Sequence, residues 1–378
     1  MRILFLHSSS DVYGASKIFL QTVSIAKSSG HHVVVVLSKK GELEKAFLDM
    51  GIPVEIINLG ILRRQYFNLK GIINRYQQWN KAIPALGSII QSHQVNLVYS
   101  NTAAVLIGAY IARNHSIKHL WHIHEIIEKP IFLHRFLSWC FMHYADKLIV
   151  VSKAVEKHWQ KGIEANKIKQ IYNGIEPVQS SSLPSFRTSL NIPTSALVIG
   201  MAARIHYWKG QSYFVEIANA LLAMEDPTTP LYFLIAGDPF TGYEYLLDQL
   251  INQIQQLKRK DQIIYLGLVK EMDVFYRSID LLILPSQLPD PLPTVILEAM
   301  QYQIPVVATK QGGAMEMVKE NETGIFIPLD NAPEAAQKIY AILPEKIRLL
   351  MGSQGKKRVD EHFSQASFEK NILALLDN

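Results

Sequence analysis

Two basic residues and two carboxylates define the chemistry that this sequence could perform. Arg204 and Lys209 fall in Ala203-Arg204-Ile205-His206-Tyr207-Trp208-Lys209-Gly210, where an apolar run gives way to a short loop and then a helix. Fixed there, they could neutralise a diphosphate, Arg204 through paired hydrogen bonds and Lys209 as a point charge; otherwise they are two exposed cations on a loop. Asp290 and Glu298 bracket Pro291-Leu292-Pro293-Thr294-Val295-Ile296-Leu297. Pro293 suits the first turn of a helix, because its missing N–H would have no partner there. The helix then opens near Thr294, and its free N–H groups and positive dipole end make a ready anion site. Glu298, one turn further in, either reaches back to that opening or sits on a solvated face.

A histidine and several tight loops complete the candidates. His124 closes the run Trp121-His122-Ile123-His124, and the carboxyl end of a parallel strand is where open α/β sheets bind ligands. It could donate or accept a hydrogen bond near neutral pH, although a lone histidine among 13 is more often structural. His122 is expected to point to the opposite face of the strand. Ser8-Ser9-Ser10-Asp11-Val12-Tyr13-Gly14-Ala15-Ser16 reads as the first strand-to-helix turn, where Gly14 and Ala15 let a ligand approach the backbone. It lacks the Gly-x-Gly-x-x-Gly spacing of a dinucleotide site. Gly237-Asp238, Gly267-Leu268 and Gln311-Gly312-Gly313-Ala314-Met315-Glu316 also follow apolar runs, so these loops should collect at one sheet edge. Asp-x-Asp, the usual metal clamp for a nucleotide diphosphate, occurs nowhere. A bound diphosphate would then rely on protein cations and a helix dipole, with no metal or other cofactor.

These residues need strands and helices in alternation, and the chain supplies them. Strands are expected at Arg2–His7, His32–Leu37, Pro53–Leu59, Asn96–Ser100, His119–His124 and Lys147–Ser152. A second set falls at Leu197–Ala202, Leu231–Ala236, Gln262–Leu266, Asp280–Leu284 and Pro305–Ala308. Val33-Val34-Val35-Val36 is apolar on both faces, as a strand in a helix-covered parallel sheet must be. Regular alternation with helices implies βαβ units and doubly wound sheets. The pattern breaks between Glu176 and Pro193, a Ser- and Pro-rich linker, so two α/β domains with a ligand cleft between them are expected. Their spans are 1–180 and 190–355, with residues 356–378 as a C-terminal helical segment packing back on the first domain. A chain of 378 residues also exceeds one ordinary core.

Bulk composition narrows the function classes. Hydrophobic content of 48% with 19% charged residues is that of a globular protein. Cys140 is the only cysteine, which excludes an intramolecular disulfide and fits a reducing, cytoplasmic compartment. No apolar run approaches the roughly 18 residues needed to span a bilayer. The net charge of +5 is uneven: residues 1–180 carry +10 and residues 181–378 carry −5. A basic first half invites an anionic partner, and Leu62-Arg63-Arg64 with Lys70 to Lys81, mixing cations with Tyr66, Phe67, Tyr76 and Trp79, could rest on anionic lipid. No nucleic-acid motif accompanies the charge, so nucleic acid is not an expected partner.

Taken together, Arg204-x-x-x-x-Lys209-Gly210, the Asp290-to-Glu298 segment with Ala299-Met300, and Gly312-Gly313-x-x-Glu316 resemble the signature loops of glycosyltransferase family 4. Ser152-Lys153-Ala154-Val155, Asn173-Gly174-Ile175 and Asn321-Glu322-Thr323-Gly324 extend the resemblance along essentially the whole chain. It implies the GT-B fold, two Rossmann-like parallel-sheet domains facing across a cleft. It also implies retaining, metal-independent transfer of a hexose-type sugar from a UDP- or GDP-sugar. The acceptor would be a cell-surface glycan or its lipid-linked precursor, met at the inner membrane face. By the same resemblance Arg204 and Lys209 hold the diphosphate, Glu298 the ribose hydroxyls, and His124 the donor sugar near its reacting centre. Gly14, Ala15, Thr294 and Val295 offer backbone, and Gly237, Gly267 and Leu292 complete the donor-binding set. Asp290 joins the catalytic set near the hydroxyls of the donor sugar, where the family has a glutamate, one methylene longer, and Pro293 stands where it has glycine; both departures bear on sugar specificity. Two rivals share the scaffold, a sugar-nucleotide epimerase and a non-catalytic nucleotide-sugar-binding or glycan-binding module.

Overall fold

A computed structural model describes every residue except 12, 13, 62–65, 67, 179–181, 227, 241 and 378. The chain divides into two compact units, one of Met1–Gly174 with Gln365–Asn378 and one of Ile175–Ser364.

The first unit is built on a parallel sheet of seven strands: β1 (Arg2–His7), β2 (His32–Leu37), β3 (Val54–Ile56), β4 (Leu97–Asn101), β5 (Lys118–Ile123), β6 (Lys147–Val150) and β7 (Ile168–Gln170). Their order is β3-β2-β1-β4-β5-β6-β7. Strand alternation divides the core in two. Ile3, Phe5, Val33 and Val35 pack on one face with Phe19 and Phe47, while Leu4, Leu6, Val34 and Val36 pack on the other with Leu86, Ile90 and Ile111. Both faces are covered, and so the strands are apolar throughout.

The second unit has six parallel strands: β8 (Leu197–Ala202), β9 (Leu231–Ala236), β10 (Ile263–Gly267), β11 (Leu281–Leu284), β12 (Val306–Thr309) and β13 (Gly324–Ile327). They run β10-β9-β8-β11-β12-β13. Ile199, Met201, Phe233, Ile235, Leu281 and Ile283 pack against Phe214, Ile217 and Leu221 of the helix Gln211–Ala223, which recur at helical spacing.

Both sheets are doubly wound, and each therefore has a point where strand order reverses. In the first it lies between β1 and β4, in the second between β8 and β11. Crossover helices leave in opposite directions there, which opens a crevice at the carboxyl ends of the strands.

The structure departs from the expected outline in four places. Two short strands, β7 and β13, were not anticipated. The linker is shorter than its composition suggests: Arg187 forms an ion pair with Asp280 and donates to Ser278 O at 2.9 Å and Ala196 O at 3.0 Å, which ties the helix Phe186–Ser189 into the second unit. The two tail helices also part company. Glu345–His362 stays with the second unit, where Arg358 donates to the carbonyls of Glu316 and Met317 at 2.6 and 2.7 Å. Only Gln365–Leu376 joins the first, burying Phe368, Ile372 and Leu376 in the core beside Phe19, at about 1.5–3 kcal/mol per side chain. Finally, Trp79 does not belong to the outer face of the helix Leu69–Ser92: it packs against Tyr110, and a Cβ on Gly60 would lie 2.2 Å from it.

Candidate functional site

In the second unit the loops at the switch point are braced onto one another. β8 ends at Ala202, and Arg204 to Gly210 run over the carboxyl edge of the sheet. Gly210 takes φ +82°, and a Cβ there would lie 2.0 Å from Pro285 O, in the loop after β11. Only glycine permits both the left-handed backbone and that approach. The Trp208 carbonyl accepts from Gln287 N at 2.6 Å, so the Arg204–Lys209 loop and the Asp290 loop are fastened directly together. Gln211 Nε2 donates to Arg204 O at 2.9 Å, setting the turn from which the guanidinium projects. That guanidinium stacks 4.3 Å from the centre of the Phe240 ring, and the Lys209 ammonium lies 4.0 Å over Trp208. Both are cation–π arrangements.

Lys209 and Asp290 form an ion pair. The sequence reading gave these two side chains separate roles; in the structure the carboxylate lies on the ammonium, although an ammonium keeps further N–H donors. Asp290 is buried, only 7% exposed. Its backbone is held by the Gly312-Gly313 turn: Gly313 N donates to Asp290 O at 2.7 Å, and a Cβ on Gly312 would lie 2.3 Å from that oxygen. The glycines of this turn thus position Asp290.

The helix expected near Thr294 spans Thr294–Gln301, with Pro293 as its N-cap and not its first residue. The Thr294 and Val295 amides meet no acceptor among the described residues, as expected for a helix start. Leu292 is buried beneath the turn against Gly313. Glu298 is half-buried and accepts a hydrogen bond from the Tyr276 hydroxyl at 2.7 Å. Burial, with the Glu298 carboxylate next in importance, pushes the Tyr276 pKa well above its ordinary value, so the phenol stays a donor. Tyr276 stacks on Tyr302, which donates to Asp273 at 2.7 Å. Gly237 and Gly267 lie at the ends of β9 and β10, joined by Gly237 N to Gly267 O at 2.8 Å. A Cβ on Gly237 would lie 2.0 Å from Ala203 O, which accounts for its missing side chain, whereas a Cβ on Gly267 (φ +70°) would only touch Asp238 Oδ1 at 3.8 Å.

The first unit carries its own constellation at the β1–β4 switch. Gly14 (φ +50°, ψ −120°) precedes the helix Ala15–Ser28, and a Cβ there would face open space. His124 lies just past β5 and its Nε2 is 2.9 Å from Asn101 Oδ1. Its ring centre is 4.2 Å from that of His122, so the two share a face; alternation puts residues two apart on the same side, and the opposite placement expected for His122 is wrong. Burial, then the neighbouring His122 and His7 rings, hold the His124 pKa well below the usual histidine value. Burial alone lowers His122 to about 3 and outweighs a hydrogen bond to lower His7 to about 4, so all three rings are neutral. Glu125 is pushed up to about 7 by burial, against hydrogen bonds from the Ala103 and His124 amides at 3.1 and 2.9 Å.

Asn101, His7, Ser16 and Tyr276 were not singled out by sequence reasoning. The available signal was a polar residue at the carboxyl end of an apolar strand, which His7 and Asn101 both display. Of the lipid-facing residues expected, Leu62, Arg63, Arg64 and Phe67 lie outside the described residues. The described part of the helix Leu69–Ser92 exposes Leu69, Ile72, Ile73 and Tyr76, an apolar stripe at helical spacing. Ile131, Phe132, Phe136 and Trp139 form another on the helix Ile131–Tyr144. No helix among the described residues is long and apolar enough to cross a membrane.

Comparison with known proteins bears on both units. The family model described as glycosyl transferases group 1 matches residues 184–358, and that of glycosyltransferase family 4 matches residues 14–179. An uncharacterized glycosyltransferase of Methanocaldococcus jannaschii is 24% identical over 368 residues, covering 88% of this chain and 91% of its own. The lipopolysaccharide 1,2-N-acetylglucosaminetransferase of Salmonella typhimurium is 24% identical, covering 78% and 77%. Among solved structures, Anabaena HepE in complex with UDP and glucose superposes with a TM-score of 0.84 at 25% identity over 100% of both chains.

Proposed function

This chain belongs to the group 1, family 4 glycosyltransferases of the GT-B fold, and from that premise we propose that it transfers a hexose-type sugar from a nucleotide diphosphate donor with retention and without a metal. The observation that carries the reading is the second unit's switch point, where Arg204, Lys209 and the opening of the helix Thr294–Gln301 sit on loops bonded to each other. The Arg204 guanidinium, an ammonium shared with Asp290 and a helix dipole converge on one opening, which suits an anion such as a diphosphate. UDP is the favoured nucleotide, supported by the UDP and glucose bound to Anabaena HepE; GDP is the alternative. A glycan or lipid-linked acceptor is supported by the Salmonella relative, whose name places its acceptor in lipopolysaccharide.

In the proposed reaction Arg204 and Lys209 grip the diphosphate, Glu298 takes the ribose hydroxyls, and the Thr294 and Val295 amides bind a phosphate oxygen. Leu292, Gly237 and Gly267 line the donor's path. Gly14 and Ala15 present backbone, and His124 contacts the donor sugar. As the bond from anomeric carbon to phosphate oxygen breaks, its electron pair stays on the diphosphate. The fixed cations stabilise that charge, each well-aimed donor contributing about 2.7–4 kcal/mol by analogy with oxyanion holes. The acceptor hydroxyl attacks the same face of the sugar, and its proton passes to the departing phosphate. Asp290 keeps Lys209 in place while the remaining ammonium hydrogens serve the phosphate.

We further propose that the first unit rests on anionic lipid through the exposed stripe of Leu69, Ile72, Ile73 and Tyr76 beside Lys70. Sedimentation with liposomes tests this; binding unchanged between neutral and anionic vesicles refutes it. For the reaction itself, the wild-type enzyme is offered UDP- and GDP-sugars with lipid-linked glycan acceptors in EDTA, and the product's anomeric configuration is read by NMR. Transfer with retention is expected; an inverted linkage, an epimerised donor, or dependence on added metal overturns the reading.

A further inference from the structure

The amide of Asn101 sits among groups that fix the direction of every hydrogen bond around it. Asn101 ends β4, paired in register with His7 on one side and His122 on the other. Its Nδ2 lies 3.0 Å from His7 Nδ1 and 3.3 Å from Ala15 O, and its Oδ1 lies 2.9 Å from His124 Nε2. A backbone carbonyl only accepts, so the amide nitrogen must be the atom facing Ala15, and the amide oxygen then faces His124. An amide oxygen also only accepts, so His124 carries its proton on Nε2. The other amide hydrogen goes to His7 Nδ1, which leaves the His7 proton on Nε2, 2.9 Å from Ser16 Oγ. The chain Ser16–His7–Asn101–His124 therefore has a single sense. Glu125 adds a hold on the backbone, accepting from both His124 N and Ala103 N.

We propose that Asn101 is a positioning residue that fixes His124 as its neutral Nε2–H tautomer, so that the Nδ1 lone pair accepts a hydrogen bond from a hydroxyl of the donor sugar. His124 is half-buried, and its Nδ1 has no hydrogen-bond partner among the described residues. A lone pair there attracts a hydroxyl and repels a phosphate oxygen, which assigns His124 to the sugar and not to the diphosphate. The titratable groups facing it are His7 from β1, His122 from β5 and Glu125, and the low histidine pKa values keep all three rings uncharged. This inference rests on the proposed function for the identity of the ligand but not for the tautomer.

The test is ¹⁵N NMR of the histidine rings in the full chain, for the wild type and for Asn101→Asp and Asn101→Ala, together with kcat and donor KM. The wild type is expected to show His124 protonated on Nε2 only. Asn101→Asp, of the same shape, sets a carboxylate between two rings and is expected to convert His124 to imidazolium at neutral pH. Asn101→Ala is expected to give mixed tautomers. In both, kcat falls by about 10²-fold, the order expected when a contact is misplaced by about 1 Å. A wild-type His124 protonated on Nδ1 overturns the proposal, as does a folded variant that keeps both the Nε2–H tautomer and the wild-type kcat. Should Asn101→Ala fail to fold, the wild-type tautomer and Asn101→Asp still decide. Because the tautomer is read without substrate, a fixed Nε2–H ring in a chain that transfers no sugar sinks the proposed function and leaves Asn101's hold on His124 standing.

Discussion

Mild acid should unfold the first unit, and the histidines say where. His7, His119 and His122 are at most 1% exposed, and their pKa values are lowered from 6.5 to about 4, 4 and 3, chiefly by burial. In the unfolded chain each takes a proton as pH falls through 6.5, while the folded state refuses it until about pH 4. Their contribution is thus complete above pH 6.5 and is lost on acidification toward pH 4. Three protons bound only by the unfolded state give a slope of about 4 kcal/mol per pH unit. Glu125 has the opposite sign: its folded pKa of about 7 lies above the unfolded 4.5, so folding gains from its proton as pH falls across that window. That offsets about 1.4 kcal/mol per pH unit. The net loss, roughly 3 kcal/mol per unit between pH 6 and 5, is large against a total stability of about 5–15 kcal/mol. Urea titrations followed by the fluorescence of Trp121 and Trp159, both buried in this unit, measure it directly. His122→Asn should remove about one proton, near 1.4 kcal/mol per unit, from the slope. A stability that stays flat from pH 6.5 to 5, or a slope untouched by that substitution, would refute the argument.

Two further substitutions address the second unit. Gly210→Ala forces a side chain to within 2.0 Å of Pro285 O at φ +82°; beyond the roughly 1–2 kcal/mol of left-handed strain, the displaced loop should lower the melting temperature and weaken UDP binding together. Tyr276→Phe removes the hydroxyl that donates to Glu298. A hydrogen bond to a charged group contributes about 1.5–3 kcal/mol, so donor KM should rise about tenfold or more with kcat much less affected, as initial-rate kinetics would show.

The architecture could be read from the sequence because its strands are apolar on both faces and its helices separate them; βα alternation sustained along the chain carries more information than any single motif. What escaped was short or non-local. Strand β7 is three residues long, and β13 begins at Gly324, inside what reads as a turn. The loops bearing Arg204, Lys209 and Asp290, and the helix start that leads to Glu298, could be placed at one sheet edge, because parallel strands put every following connection there. How those loops engage could not. The Lys209–Asp290 ion pair, the Tyr276 hydroxyl on Glu298 and the Ser16–His7–Asn101–His124 chain all join residues distant in sequence. The face of His122 was misjudged for a simpler reason, since alternation over two residues returns to the same side.

In the proposed function, Arg204, Lys209 and the start of the helix at Thr294 hold a nucleotide diphosphate without a metal. The decisive experiment is calorimetric titration of UDP into the wild type and into Arg204→Ala/Lys209→Ala, both in EDTA. Tight binding by the wild type and a loss of about 10³-fold or more in the double variant are predicted, at no less than about 2 kcal/mol for each charged contact. Undiminished UDP binding in the double variant, or wild-type binding that appears only when a divalent metal is restored, would contradict it.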